Sequence, residues 1–322
     1  MKWKIVANSL VMIVMLVCLL PALLSAEDKY PKKPISMVIT FGAGGAASIS
    51  GKMEADALEK VLGQPVNLIH KPGGGTIPGV MSVMNAPTDG YTLLRVSAPS
   101  MVTNPLIRKT PFTHNDFIPI CLTSYNSPVL YVRADSPYKD LNDFIEAGRK
   151  KTMLVGVNQI GAPPHLAAMQ LSQAADIKFD TITYKQIPKS ILGLMGGHVE
   201  AAVGLLFDNK KNDGKIRPLA ILDNRRSEHL PDVPTVNELI PGADINSWVR
   251  AGISVKKGTP ENIVNTLVEA CEQELNTAEF KAKAETTNHA FNFVSGPEAC
   301  NKVIEEGIAA YKPVIEKLGI KK

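Results

Sequence analysis

Cysteine is scarce in this chain, an excess of charge of either sign is slight, and no long apolar run follows the first two dozen residues. The four cysteines are Cys18, Cys121, Cys271 and Cys300, at spacings that fit no zinc motif. Cys271 and Cys300 could bridge neighbouring helices in an oxidising compartment, but buried free thiols are the preferred reading. There are 35 basic side chains against 31 acidic ones, a formal charge of +4. With no basic stripe and no interleaved aromatics, nucleic acid is not an expected partner. No G-x-S-x-G elbow is present to hold a nucleophile, and no complete dinucleotide fingerprint with its ribose-binding acid. The histidines, at 70, 114, 165, 198, 229 and 289, are scattered instead of grouped with acids as a metal centre requires. An enzyme is therefore not expected, and neither is a cofactor or a metal.

What is present begins with a targeting segment. Lys2 and Lys4 precede an apolar run from Leu10 to Leu20, and Ser25-Ala26 supplies small residues before Glu27. So short an apolar core fits a signal peptide over residues 1–26 better than a spanning helix. Cys18 follows Met15-Leu16-Val17, which lacks the small residue of a lipoprotein signal, so no lipid anchor is expected. Loss of Lys2 and Lys4 takes the charge from +4 to about +2, a nearly balanced surface. The roughly 296 residues that remain suit two domains with their own cores.

The stretch that organises the chain runs from Ile35 to Leu62. Ile35 to Thr40 reads as a buried strand, and Ile49, Met53, Ala57, Leu58 and Val61 recur at helical spacing. Between them lies Phe41-Gly42-Ala43-Gly44-Gly45-Ala46-Ala47-Ser48, with Ser48 or Ser50 available as a cap. Strand, glycine loop and helix together aim backbone N–H groups and a positive helix end at a small hollow, which suits an anion. The loop is neither G-x-G-x-x-G nor a phosphate-binding P-loop. Further strands are expected at Val66 to Ile69 and Tyr91 to Val96, with a short helix between them. The loops Phe41 to Ser48, Lys71 to Thr76 and Ser97 to Ser100 then gather outside the carboxyl ends of a mostly parallel sheet.

From Val129 the strand–helix alternation starts afresh, with strands expected at Val129 to Val132, Met153 to Val157, Thr181 to Tyr184, Ala201 to Leu205 and Ile216 to Leu222. After a strand from Trp248 to Val255, the C-terminal part is mostly helical, which suits a cover over the first sheet better than a sheet of its own. The expectation is an α/β chain of two lobes, each a mostly parallel sheet flanked by helices, joined by two hinge crossovers. Residues 27–125 plus 247–322 would form lobe 1, and 126–246 lobe 2.

Several segments together resemble the tripartite tricarboxylate transporter substrate-binding proteins, the TctC or Bug family. They include Tyr30-Pro31-x-Lys33-Pro34-Ile35, Leu62-Gly63-Gln64-Pro65-Val66, Lys71-Pro72-Gly73-Gly74-Gly75 and Asp89-Gly90-Tyr91-Thr92-Leu93-Leu94. Asn104-Pro105, Asp116-Phe117-Ile118-Pro119, Gly196-Gly197-His198-Val199-Glu200, Leu230 to Val236 and Gly258-Thr259-Pro260 continue the match in order. The resemblance implies a type II periplasmic-binding-protein fold, a monomer whose lobes close on a small organic carboxylate. The loaded receptor would be delivered to the membrane permease subunits of a tripartite tricarboxylate transporter. A different reading is a receptor that docks on a signalling kinase and reports its ligand without feeding transport. In the family the ligand is held by backbone amides and ordered water of the first glycine loop and its facing loop.

On this basis the candidate ligand-binding residues are Phe41, Gly42, Ala43, Gly44, Gly45, Ser48, Thr76, Ser97, Ser100, Gly161, Ala162 and Tyr184. Bland readings stand beside them: Gly73 to Thr76 as an ordinary turn, Ser97 or Ser100 as a helix cap, Lys185 in solvent, His165 packed at a helix start, and Trp248 in a core. Departures from the family pattern fall around the cleft. Thr40 stands for a proline, Ser48 for an aspartate, Thr76 for an asparagine, Ala162 for the serine of Gly-x-Gly-Ser-x-x-His, and Gln186 for a glycine. They point to a ligand with one carboxylate and a less polar remainder.

Overall fold

Glycine and proline punctuate the chain into short strands and helices that settle into two sheets. The computed structural model describes residues 30–97, 99–206, 208, 212, 214–286 and 290–320; the expected signal peptide lies outside them. In chain order the first half comprises β1 (Ile35–Ile39), α1 (Ala46–Leu62), β2 (Val66–His70), α2 (Ile77–Met84), β3 (Thr92–Ser97), α3 (Asn104–Ile107), β4 (Phe117–Asn126), β5 (Pro128–Arg133), α4 (Leu141–Gly148) and β6 (Met153–Val157). There follow α5 (Pro163–Ala174), β7 (Phe179–Thr183), α6 (Ile187–Met195), β8 (Ala201–Leu205), β9 (Ile216–Ile221), α7 (Val236–Leu239), β10 (Val249–Lys256), α8 (Glu261–Leu275), α9 (Ala278–Thr286), β11 (Phe291–Ser295) and α10 (Pro297–Lys317).

One sheet has the order β11-β4-β10-β3-β1-β2 and the other β7-β6-β8-β5-β9. In the first, β1 pairs in parallel with β2 and β3, whereas β10 runs antiparallel to both β3 and β4, and β11 antiparallel to β4. In the second, β6 is parallel to β7 and β8, and β5 is antiparallel to β8 and β9. Most strands of each sheet therefore point one way, but the reversed strands β10, β11 and β5 make the pairings mixed. The reversals follow from the two crossovers. Ser127 alone separates β4 from β5, and the stretch from Leu222 to Trp248 brings the chain back to β10.

Two strands escape the sequence reading. β4 is ten residues long, but Pro119 interrupts its apolar run and register shifts break its pairing with β10. β11 is a short edge strand, only half-buried.

The crossovers are tied by buried polar groups. Asp223, just past β9, accepts hydrogen bonds from Tyr125 Oη at 2.7 Å and Ser127 Oγ at 2.5 Å. Desolvation holds its carboxyl above the usual range despite these donors. On the return crossover, Tyr311 of α10 donates to the Trp248 carbonyl at 2.7 Å and accepts from the Trp248 N–H at 2.8 Å. Ser247 Oγ donates to the Pro163 carbonyl at 3.2 Å, so α5, the crossover and α10 meet at one point. Trp248 is buried between Tyr125 and Tyr311, a core role.

The three described cysteines are buried free thiols, as preferred from the sequence, and Cys271 does not face Cys300. Cys271 lies against Cys121, at 3.0 Å, and Cys300 bonds the Val294 carbonyl. α10 approaches the sheet with Cys300 among Leu122 and Val294, leaving Cys271 of α8 to meet Cys121.

Candidate ligand-binding site

The first glycine loop leaves the carboxyl end of β1 and starts α1, a 17-residue helix capped by the extended Gly45 without any side-chain hydrogen bond. Gly44 adopts φ 77°, a left-handed conformation that a side chain resists. A Cβ built on Gly42 or Gly44 would meet no atom within 4 Å, so the loop borders open space. Among the described residues, no partner is present for the N–H groups of Gly42, Ala43, Gly44 and Gly45. Four free donors at the positive end of a long helix are the dominant electrostatic feature here.

A buried ion pair fixes that helix beneath the loop. Arg95 of β3 donates from Nε to Glu54 of α1 at 2.8 Å, and from Nη2 to Ser50 Oγ at 2.5 Å. Arg95 Nη2 also reaches Glu54 Oε1 at 3.3 Å, and Thr123 of β4 adds a third donor to that carboxylate at 2.7 Å. Gly51 permits this approach, because a Cβ there would lie 2.7 Å from Ile39 Cδ1 and 3.0 Å from Arg95 Cδ.

The second loop lies beside the first because β2 pairs with β1, Ile39 opposite His70. His70 Nε2 sits 2.8 Å from Ser48 Oγ. Gly73, Gly74, Gly75 and Thr76 follow one another at positive φ, a conformation strained for threonine. Thr76 is held there, buried, by Asn104 Nδ2 at 3.1 Å, which also donates to the Gly75 carbonyl. Arg108 covers Gly75 so closely that a Cβ would fall 2.4 Å from its Nη1. Around this loop Thr40 Oγ1, Thr103 Oγ1, Asn104 Oδ1 and Arg108 Nε are buried without a partner. Such a set of orphaned polar atoms calls for water or a polar ligand.

The remaining candidates sit differently. Ser97, at the end of β3 opposite Ala251, is buried and lines a cavity of about 20 Å³ with Met101, Trp248 and Arg250. Ser100 lies in the π-helical turn Pro99–Thr103, and its side chain falls outside the described residues. On the facing loop Gly161, at φ 77°, donates to His165 Nδ1 at 3.2 Å, and Ala162 donates to the Gln159 carbonyl at 3.2 Å. Both expected donors are thus engaged within their own loop. Gly161 also touches Ile107 of α3, since a Cβ there would fall 2.4 Å from Ile107 Cδ1. The Tyr184 ring lies over Gly193 and Gly156, in the core of the second sheet, and its N–H bonds the Val157 carbonyl. Burial pushes the His165 imidazole below its usual pKa, in keeping with its role as acceptor from Gly161.

The sites that sequence reasoning missed are His70, Asn104 and Arg108. Asn104 lies in a recognisable motif, Asn104-Pro105, but the direction of all three toward the loop is a tertiary fact. Among the described residues, no three His, Cys, Asp or Glu side chains converge as a metal site would need. No helix among them is long and apolar enough to cross a membrane.

The model of the tripartite tricarboxylate transporter family receptor, TctC, matches residues 51–320. This chain belongs to that family. A Cupriavidus necator UPF0065 protein, encoded in the gbd 5′ region, is 31% identical over 301 residues, 92% of this chain and 90% of the relative. A TctC solute-binding protein from Polaromonas, crystallised without ligand, is 30% identical with a TM-score of 0.73, covering 89% of this chain and 99% of that one. Two R. palustris structures share the fold: one with adipate (22% identity, TM-score 0.82, 90% and 98% coverage) and MatC with bound malate (21%, 0.77, 89% and 100%). The receptor family is one of periplasmic solute-binding proteins, and its two-lobed architecture is the one described above.

Proposed function

We propose that this TctC-family receptor binds a small organic carboxylate at the first glycine loop and delivers it to a tripartite tricarboxylate-type permease. The observation that carries this is the row of unpartnered N–H groups from Gly42 to Gly45 at the start of α1, in a loop where a Cβ on Gly42 or Gly44 would meet no atom within 4 Å. A carboxylate there gains charge-assisted hydrogen bonds and the helix field without needing a cation. Ser48 and His70 complete the rim, and the orphaned atoms of Thr40, Asn104 and Arg108 serve water or a second polar group of the ligand. The adipate and malate bound by the two R. palustris proteins support the ligand class.

In the mechanism the ligand first docks on the glycine loop. The second lobe then closes, because a ligand touching both lobes favours the closed form by its differential affinity. Ser127 and the Ser247–Trp248 segment carry the rotation, with Asp223 and Tyr311 limiting its path.

The test is native mass spectrometry of the mature protein, followed by thermal shift with mono-, di- and tricarboxylates. A true ligand at a hundred times its Kd stabilises the native state by about 2.7 kcal/mol. Ser48→Ala and His70→Ala should each weaken it about tenfold. A panel that leaves Tm unmoved would refute the carboxylate assignment.

A further inference from the structure

Cys121 and Cys271 stand 150 residues apart in sequence, yet their sulfurs lie 3.0 Å apart, on β4 and on the helix α8 packed over it. Neither side chain reaches solvent. Cys300 does not compete, because it sits with Leu122 and Val294 and bonds the Val294 carbonyl at 3.4 Å. The family is periplasmic, and in that compartment disulfides form and persist.

We propose that Cys121 and Cys271 are the site of an intramolecular disulfide that closes the loop containing the whole second sheet. The oxidant is a small-molecule or protein disulfide of the export compartment. One cysteine thiolate attacks it, breaking the oxidant's S–S bond and releasing one of its sulfurs as a thiol. The second cysteine thiolate then displaces the other, forming the Cys121–Cys271 bond. The two cysteines lose two electrons and two protons, and the oxidant becomes two thiols.

Folding sets the timing. Burial and the neighbouring thiol push Cys121 well above its ordinary pKa, so its thiol is a poor nucleophile in the folded reduced protein. Because both side chains are fully buried once α8 packs over β4, the oxidant reaches them before that packing is complete, and the bond is sheltered afterwards. Strands β5 to β10 all lie between the two cysteines, so the bond joins the chain on either side of the second sheet. A cross-link spanning so long a loop restricts the unfolded chain strongly.

The test refolds the reduced, denatured mature chain in a mixture of reduced and oxidised glutathione, then alkylates it with N-ethylmaleimide under denaturing conditions. One adduct, on Cys300, is expected without reduction and three after it, with a tryptic pair joining Cys121 to Cys271. The oxidised protein should melt about 8 °C above the reduced one, by the loop-closure scale for a loop this long. Cys300→Ser should keep the linkage and the difference in melting. Cys271→Ser should lose both, and where it fails to fold the Cys300→Ser comparison decides alone. Three adducts before reduction, or a bond to Cys300, would overturn the assignment.

Discussion

Glu54→Gln is the sharpest test of how the ligand loop is held in place. Glu54 and Arg95 are 1% and 4% exposed, and their guanidinium–carboxylate contact lies under the first turns of α1. The glutamine keeps the shape but removes the negative charge, leaving Arg95 buried with Ser50 Oγ as its nearest remaining partner. Breaking one side of such a buried pair costs about 3–5 kcal/mol. For a chain of this size that corresponds to a fall in Tm of about 5–8 °C. The double variant Glu54→Leu with Arg95→Met removes both charges. Ser50 keeps its bond to the Ala46 carbonyl at 2.9 Å, and Thr123 keeps the Ala251 carbonyl at 3.3 Å. Its stability should therefore return to within about 2 kcal/mol of the parent. Urea denaturation followed by circular dichroism gives the free energies, and a thermal melt followed the same way gives the Tm. A Glu54→Gln loss below about 1 kcal/mol, or a double variant weaker than either single one, would refute the reasoning.

Three further outcomes are expected. Gly252→Ala should cost about 3 kcal/mol in urea denaturation, because its Cβ would fall 2.1 Å from the Cys121 carbonyl oxygen and 2.7 Å from Leu122 Cα. A parent-like midpoint would show that β10 and β4 can part freely. Tyr311→Phe should lose about 2 kcal/mol by leaving the Trp248 N–H and carbonyl short of a partner, measured the same way. His165 titrates below its unfolded value of about 6.5 because burial disfavours the imidazolium. Its stabilising contribution is full above that value and is lost as pH falls through the lower folded pKa. Amide exchange at Gly161, corrected for intrinsic rate, should accelerate on acidification in the parent and not in His165→Gln; pH-independent protection in the parent would count against the role of Nδ1.

The alternation of strand and helix, the glycine loop between β1 and α1, and the family were all legible in the sequence. Those features are local, since apolar periodicity, turn residues and motif spacing act over a few residues and leave their mark there. The sequence did not yield β4, where Pro119 disguises a long strand, or β11, which is too short and too exposed to show a period. Which groups meet is fixed by the packed fold: Glu54 with Arg95, Ser48 with His70, Asn104 and Arg108 with the second loop, and Cys121 with Cys271. It also fixes which expected donors are spent, since Gly161 and Ala162 bond within their own loop whereas Gly42 to Gly45 do not. Hydrogen bonds and charge pairs are set by register and packing across separations of 22 to 150 residues, which no local pattern encodes.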